Sequence, residues 1–255
     1  MIRELFEKIS GANDPVRLGE NLRNAAAQGD LPRVQRYLRM GAQVDAADSA
    51  GLTALYAAAA RGHASVVQCL IEAKADLNAG KPADREGTPL TQAVAAGHAD
   101  VAMMLARAGA DLSLTGYEWR TPLHEAIWRG YPDLADKLLD IGSPVNTVNR
   151  EGNSVLNEAL NKGEESLAIK LVRAGADWTA KDRWGAPAED RAVAQQLKDL
   201  RAAIEDEKNR PAREAEAARL AAEAFVQEIA QAAVLQNDTA VLPVLQVRRR
   251  PAVTI

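Results

Sequence analysis

Acid–base, nucleophilic or metal chemistry in this chain would have to use three histidines (His63, His98 and His124), one cysteine (Cys69) and a large stock of carboxylates. A catalytic triad needs a nucleophile and an orienting acid beside one histidine, and the sequence around these three supplies no such set. His63 and His98 each follow a glycine and His124 closes a Thr-Pro-Leu-His phrase, so they hold recurring positions in the chain. The 35 Asp and Glu residues include no pair isolated in an apolar setting, the arrangement that separates two carboxyl pKa values. A single cysteine excludes an intramolecular disulfide and a cysteine metal cage. Its setting, Val66-Val67-Gln68-Cys69-Leu70-Ile71, predicts a buried, inert thiol. Phosphate-cradling glycine loops of the Walker or dinucleotide type are absent. The expectation is a protein without catalytic, metal-binding or cofactor-binding residues.

Composition narrows the partners. A net charge of -4 and a pI near 5.6 give no general attraction for nucleic acid or an anionic membrane, with Arg248-Arg249-Arg250 the one basic run. No window approaches the roughly 18 consecutive apolar residues of a membrane span. Charges interrupt Met1-Ile2-Arg3-Glu4-Leu5-Phe6-Glu7-Lys8 where an export signal needs an apolar run, so a cytoplasmic location is expected, with export by a non-Sec route left open. Hydrophobic residues make up 47% of the chain and aromatics only 4%, so the core must be built from small side chains in closely spaced helical layers.

The elements that position these residues repeat. Thr53-Ala54-Leu55, Thr88-Pro89-Leu90, Thr121-Pro122-Leu123 and Ser154-Val155-Leu156 follow one another at steps of 35, 33 and 33 residues. Gly29, Gly62, Gly97, Gly130 and Gly163 keep the same ruler, and twelve residues after each comes Gly41, Lys74, Gly109, Gly142 or Gly175. The Thr or Ser hydroxyl caps a short helix, and Pro suits its first turn, where the missing N–H has no partner to lose. The first glycine turns the chain into a second helix with apolar residues five, eight and nine positions on: Val67, Leu70 and Ile71, then Ala102, Leu105 and Ala106, and so on. The second glycine closes that helix in a left-handed conformation. Lys74 breaks the pattern, so its repeat end should be the least regular.

Gly-Leu-Thr-Ala-Leu-Tyr-Ala-Ala-Ala-Ala-Arg-Gly-His (51–63) and Gly-Ala-Asp-Leu (109–112) resemble ankyrin repeats, and the likeness covers about residues 20–190. The resemblance implies an all-α solenoid of helix-turn-helix units joined by β-hairpin-like loops; the additional C-terminal helix is read from the Ala- and Glu-rich sequence beyond it. It also implies that the histidines make structural hydrogen bonds between neighbouring hairpins.

The expected organisation is an N-terminal segment with a short amphipathic helix (1–19) and a solenoid of five to six units including caps (20–206). After it come an Ala- and Glu-rich helix beyond the breaker Pro211 (207–236) and an extended or disordered tail (237–255). Extra residues around Ala79-Gly80-Lys81-Pro82-Ala83 explain the 35-residue step and mark a lengthened finger or a neutral insertion.

By the resemblance, partner contacts flank each hairpin and precede each turn glycine. Six of the ten aromatics (Tyr117, Trp119, Trp128, Tyr131, Trp178 and Trp184) fall within 117–184, where even scatter would put about three. Trp178 reads as core. The candidate partner-binding set is therefore Tyr117, Glu118, Trp119, Arg120, Trp128, Arg129, Arg150, Glu151, Arg183 and Trp184, with Lys81, Arg85 and Glu86 from the finger. Ser49, Ala50, Leu52, Ala60, Arg61, Ala95, Ala96, Asn153, Asn161 and Lys162 occupy further contact positions, and Trp119 stands where the family has glycine. The function expected is a non-enzymatic protein-binding module, a monomeric adaptor, inhibitor or regulator that binds neither nucleic acid nor membrane. The alternatives are a secreted bacterial effector or toxin-associated protein, or a non-catalytic enzyme subunit anchored by the C-terminal helix.

Overall fold

The punctuation of each repeat decides its structure. In the computed structural model, which describes residues 14–80 and 87–235, the described residues form twelve α-helices. They run as α1 (Pro15–Ala27), α2 (Leu31–Arg39), α3 (Ala54–Ala60), α4 (Ala64–Glu72), α5 (Pro89–Ala95) and α6 (Ala99–Arg107). Then follow α7 (Pro122–Arg129), α8 (Pro132–Asp140), α9 (Val155–Lys162), α10 (Glu165–Arg173), α11 (Ala188–Ala194) and α12 (Lys198–Leu235). Thr53, Thr88, Thr121 and Ser154 cap α3, α5, α7 and α9 through their hydroxyls, each accepting from the N–H three residues on. Thr91 returns the bond to the Thr88 N–H at 2.7 Å, completing a capping box.

Up to Ala203 the chain forms one unit of two helical layers. The first helices of successive repeats, α1, α3, α5, α7, α9 and α11, pack in order against one another; α2, α4, α6, α8 and α10 make a second, looser row. The first row packs closely because it meets through alanines: Ala58, Ala59, Ala93, Ala126 and Ala159 have no exposed surface. In α4, α6, α8 and α10 the expected positions five and eight residues after the turn glycine are buried, and so are Val66, Val101, Leu134 and Leu167, four after it. Nine after it Val172 is buried, whereas Ile71, Ala106 and Leu139 are half-buried.

The irregular end expected at Lys74 is absent. Lys74 takes φ 63°, and the Lys74 and Ala75 N–H groups reach the Ile71 and Leu70 carbonyls at 3.0 Å, matching the bonds at Gly109 and Gly142. Gln196, one 33-residue step beyond Gly163 on the glycine ruler, takes φ 59° and keeps the same closure onto Val193 and Ala192. The turn is thus imposed by the stack, and each of these residues carries the steric cost of a Cβ at positive φ. Cys69 is half-buried where full burial was expected; burial, then the Glu72 carboxylate, pushes its thiol pKa up, which keeps it protonated.

Successive units are tied in two further ways. His63, His98 and Tyr131 lie against Gly29, Gly62 and Gly97 of the preceding unit, so a Cβ there would meet the ring within 2.9 Å. His63 Nε2 also hydrogen-bonds the Ala27 carbonyl at 3.1 Å. In the loops, the backbone N–H groups of Asp76, Asp111 and Asp177 donate to the side chains of Asp45, Asn78 and Asn146 at 2.8–2.9 Å. At the remaining junction the acceptor position is Ser113 and the donor position is Pro144, which has no N–H. One rung of the ladder is therefore missing from both sides.

The second unit begins at Ile204. Its described part continues α12, and Pro211 lies inside the helix where a break was expected. Proline leaves the Glu207 carbonyl without its helical N–H donor, and Arg213 donates to the adjacent Asp206 carbonyl at 3.1 Å. Ion pairs such as Arg219 with Glu216 and Glu223 line a solvated helix, on which Leu220 and Phe225 are exposed. Residues 1–13, the finger 81–86 with Lys81, Arg85 and Glu86, and the tail 236–255 with its Arg run lie outside the described residues.

Candidate functional site

The loops between units set the site's edge. Asp48, Asn149 and Asp182 each accept two backbone N–H groups across their loop at 2.9–3.0 Å, while a backbone rung closes the hairpin, as from the Asn149 N–H to the Asn153 carbonyl. At the corresponding place in the third loop stands Gly116. A Cβ there would stand tightly against Thr91 at 3.2–3.3 Å, in the capping box of α5, and glycine supplies no side chain to brace the loop. The loop instead forms a single 3-10 turn, Tyr117–Trp119, in which Glu118 (φ 55°) and Trp119 (φ 57°) both adopt left-handed backbone. It is tied to the next loop by the Arg150 N–H donating to the Glu118 carbonyl at 2.9 Å.

Four of the candidate aromatics reach solvent: Tyr117 is 52% exposed, Trp119 60%, Trp128 38% and Trp184 63%. Tyr131 is used in packing against Gly97, and Trp178 is half-buried. Trp128 on α7 carries three cations over its ring, Arg120 at 4.2 Å, Arg129 at 5.0 Å and Lys162 at 5.4 Å from the centroid. Trp184 is stacked by Arg183 at 4.2 Å, with Arg191 at 5.9 Å. Trp128, Trp184, Arg120, Lys162, Arg183 and Glu158 line one cleft of about 350 Å³, rimmed by Glu151, Asn153 and Asn161. Tyr117, Arg120 and Arg129 meet Gln92 and Glu125 in a neighbouring cleft of about 210 Å³.

Arg120 differs from its expected place beside the exposed rings: its side chain is only 7% exposed, forming a wall shared by both clefts. Its carboxylate neighbour, Glu125, lies 3.8 Å away and is more closely engaged by Arg129 at 2.7 Å. The Arg120 Nε–H has no partner. Four other candidates spend charge on one another across the loop tips, Arg150 with Glu118 at 3.6 Å and Arg183 with Glu151 at 2.8 Å.

Glu125 and Glu158 were missed in the sequence. Both sit at one register of the first helices, following Ala57 and Gln92 and preceding Arg191, and the progression along that register was the available signal. Burial is the main influence on Glu158 and pushes its pKa up, opposed by Arg120, Lys162 and Arg183 and reinforced by Glu151. His124, between the Thr121 hydroxyl at 2.9 Å and the Thr147 hydroxyl at 3.5 Å, is fully buried. Burial, helped by Arg120 and opposed by the Asn153 backbone, lowers its pKa to about 4. Among the described residues no group of three or more His, Cys, Asp or Glu is arranged to hold a metal ion, and no helix is long and apolar enough to cross a membrane.

Two layers of short helices with loop tips along one edge define a helical-repeat solenoid whose exposed aromatic face is suited to recognition. Family models place it further: ankyrin repeats in three copies match residues 22–116, and a further ankyrin repeat matches 118–150. The chain belongs to the ankyrin-repeat family, whose repeats are protein–protein interaction modules. A comparison with curated proteins finds no match.

Proposed function

We propose that this protein is a non-catalytic binding module, an adaptor, inhibitor or regulator, that holds a protein partner on the loop tips and first helices of residues 117–191. The observation that carries this reading is the gathering of Tyr117, Trp119, Trp128 and Trp184 at the surface, each Trp of the larger cleft stacked by a guanidinium. Binding interfaces draw most of their energy from Trp, Tyr and Arg in such clusters. Trp119 adds a separate argument. A bulky residue at φ 57° costs about 1–2 kcal/mol of backbone strain, and an exposed ring recovers little of it by packing. Its retention there is consistent with a role outside the fold.

Trp119→Gly and Trp184→Ala test the reading. Trp119→Gly relieves the strain, so its melting temperature should not fall, while both variants should lose the proteins that the intact chain retains from its native cell extract. Unchanged retention with lowered melting temperatures would assign the rings to stability and overturn the proposal.

A further inference from the structure

Positive charge in the larger cleft exceeds what its own carboxylates neutralise. Of its three cations, Arg183 is paired with Glu151 at 2.8 Å. Arg120 keeps an unpartnered Nε–H on a side chain more than nine-tenths buried. Lys162, the last residue of α9, lies over Trp128 and has no ion pair among the described residues. Glu158 is the remaining carboxylate of the cleft, so the three cations face two carboxylates. Lys162 and Arg183 are exposed, whereas Arg120 is buried against the Trp128 indole and poorly solvated, so an incoming anion gains more from it than from a cation in open water.

We infer that the cleft between Trp128 and Trp184 receives an acidic segment of the partner, with one Asp or Glu carboxylate seated on Lys162 and Arg120. The inference rests on the protein-binding reading and specifies the partner's chemistry. The carboxylate accepts from the Lys162 ammonium and the Arg120 guanidinium, while flanking apolar groups of the segment lie on the two indoles. Glu158 sets a limit: when ionised it repels the same carboxylate, so neutralising it should strengthen binding. A purely structural Glu158 would not have that effect.

The test is to pan a random dodecapeptide phage library on the intact chain and measure the enriched peptides by fluorescence anisotropy at low and high salt. The panel is wild type, Lys162→Glu, Glu158→Gln and Trp184→Ala, each checked for an unchanged thermal transition. Acidic peptides should be enriched. Lys162→Glu should weaken them about tenfold, Glu158→Gln should tighten them, and added salt should weaken them. Neutral or basic peptides, an indifferent Lys162→Glu, or no enrichment would overturn the inference. So would tighter binding of a single-stranded DNA 20-mer through Lys162. If Trp184→Ala abolishes binding but Lys162→Glu does not, the protein-binding face stands and the carboxylate seat falls. If neither substitution matters, both fall.

Discussion

His124 couples the core to pH. Its imidazole has a folded pKa of about 4 and an ordinary unfolded value near 6.5, so above pH 6.5 both states are neutral and the residue adds no pH dependence. As pH falls below 6.5 the unfolded chain takes the proton first, and stability is lost until the folded residue also titrates near 4. The loss across that window is about 3 kcal/mol. Glu158 works in the opposite sense. Its raised pKa means the ionised side chain penalises the fold at higher pH, and acidification relieves it. His124→Asn keeps a polar group near the Thr121 hydroxyl but removes the titration. Urea titrations at pH 7.0 and 5.0 should therefore show a smaller loss of stability for His124→Asn than for the wild type, and equal losses would refute the assignment.

At the scale of elements, the loop ladder makes a prediction of non-additivity. Ser113→Asn alone supplies an acceptor that finds no N–H at Pro144, and Pro144→Asp alone supplies a donor opposite a serine, shorter than asparagine and held toward the Asp111 carboxylate to which its hydroxyl donates. Together they should build the missing rung. Their coupling should be about 1 kcal/mol, the net value of one hydrogen bond, measured by a double-mutant cycle of chemical denaturation. The repeat, its capping hydroxyls and its turn positions were legible because they rest on local chemistry: Thr-Pro-Leu caps a helix wherever it occurs. Lys74 and Gln196 were misleading because neighbouring units impose a left-handed turn that a single-residue preference argues against. Glu125 is engaged within its own unit by Arg129 and Arg120, whereas Glu158 feels Arg120 and Arg183 across units, which no local pattern states. Trp119 was visible as a departure from the family's glycine, but the tight approach of Gly116 to Thr91 beside its turn needed the neighbouring helix.

Across the repeat unit as a whole, stability is a sum of units and junctions, and cooperativity depends on the junctions being strong. Leu123 is fully buried in the middle of the first-helix row, so Leu123→Ala should cost about 3 kcal/mol. Hydrogen exchange in α3 and tryptophan fluorescence from Trp128 and Trp184 should then report the same destabilisation if the array unfolds as one. A loss confined to the fluorescence would divide it into separately melting halves. The gap between Ser113 and Pro144 bears on where such a division would fall. It lies between the loop that carries the strained Tyr117–Trp119 turn and the loop that follows, so a partner spanning Tyr117 to Trp184 would bridge the units on either side of the seam as a splint. Under mechanical load the free array should part first at that seam, whereas the occupied array would transfer the tension to the partner. Binding would then raise rupture force as well as melting temperature.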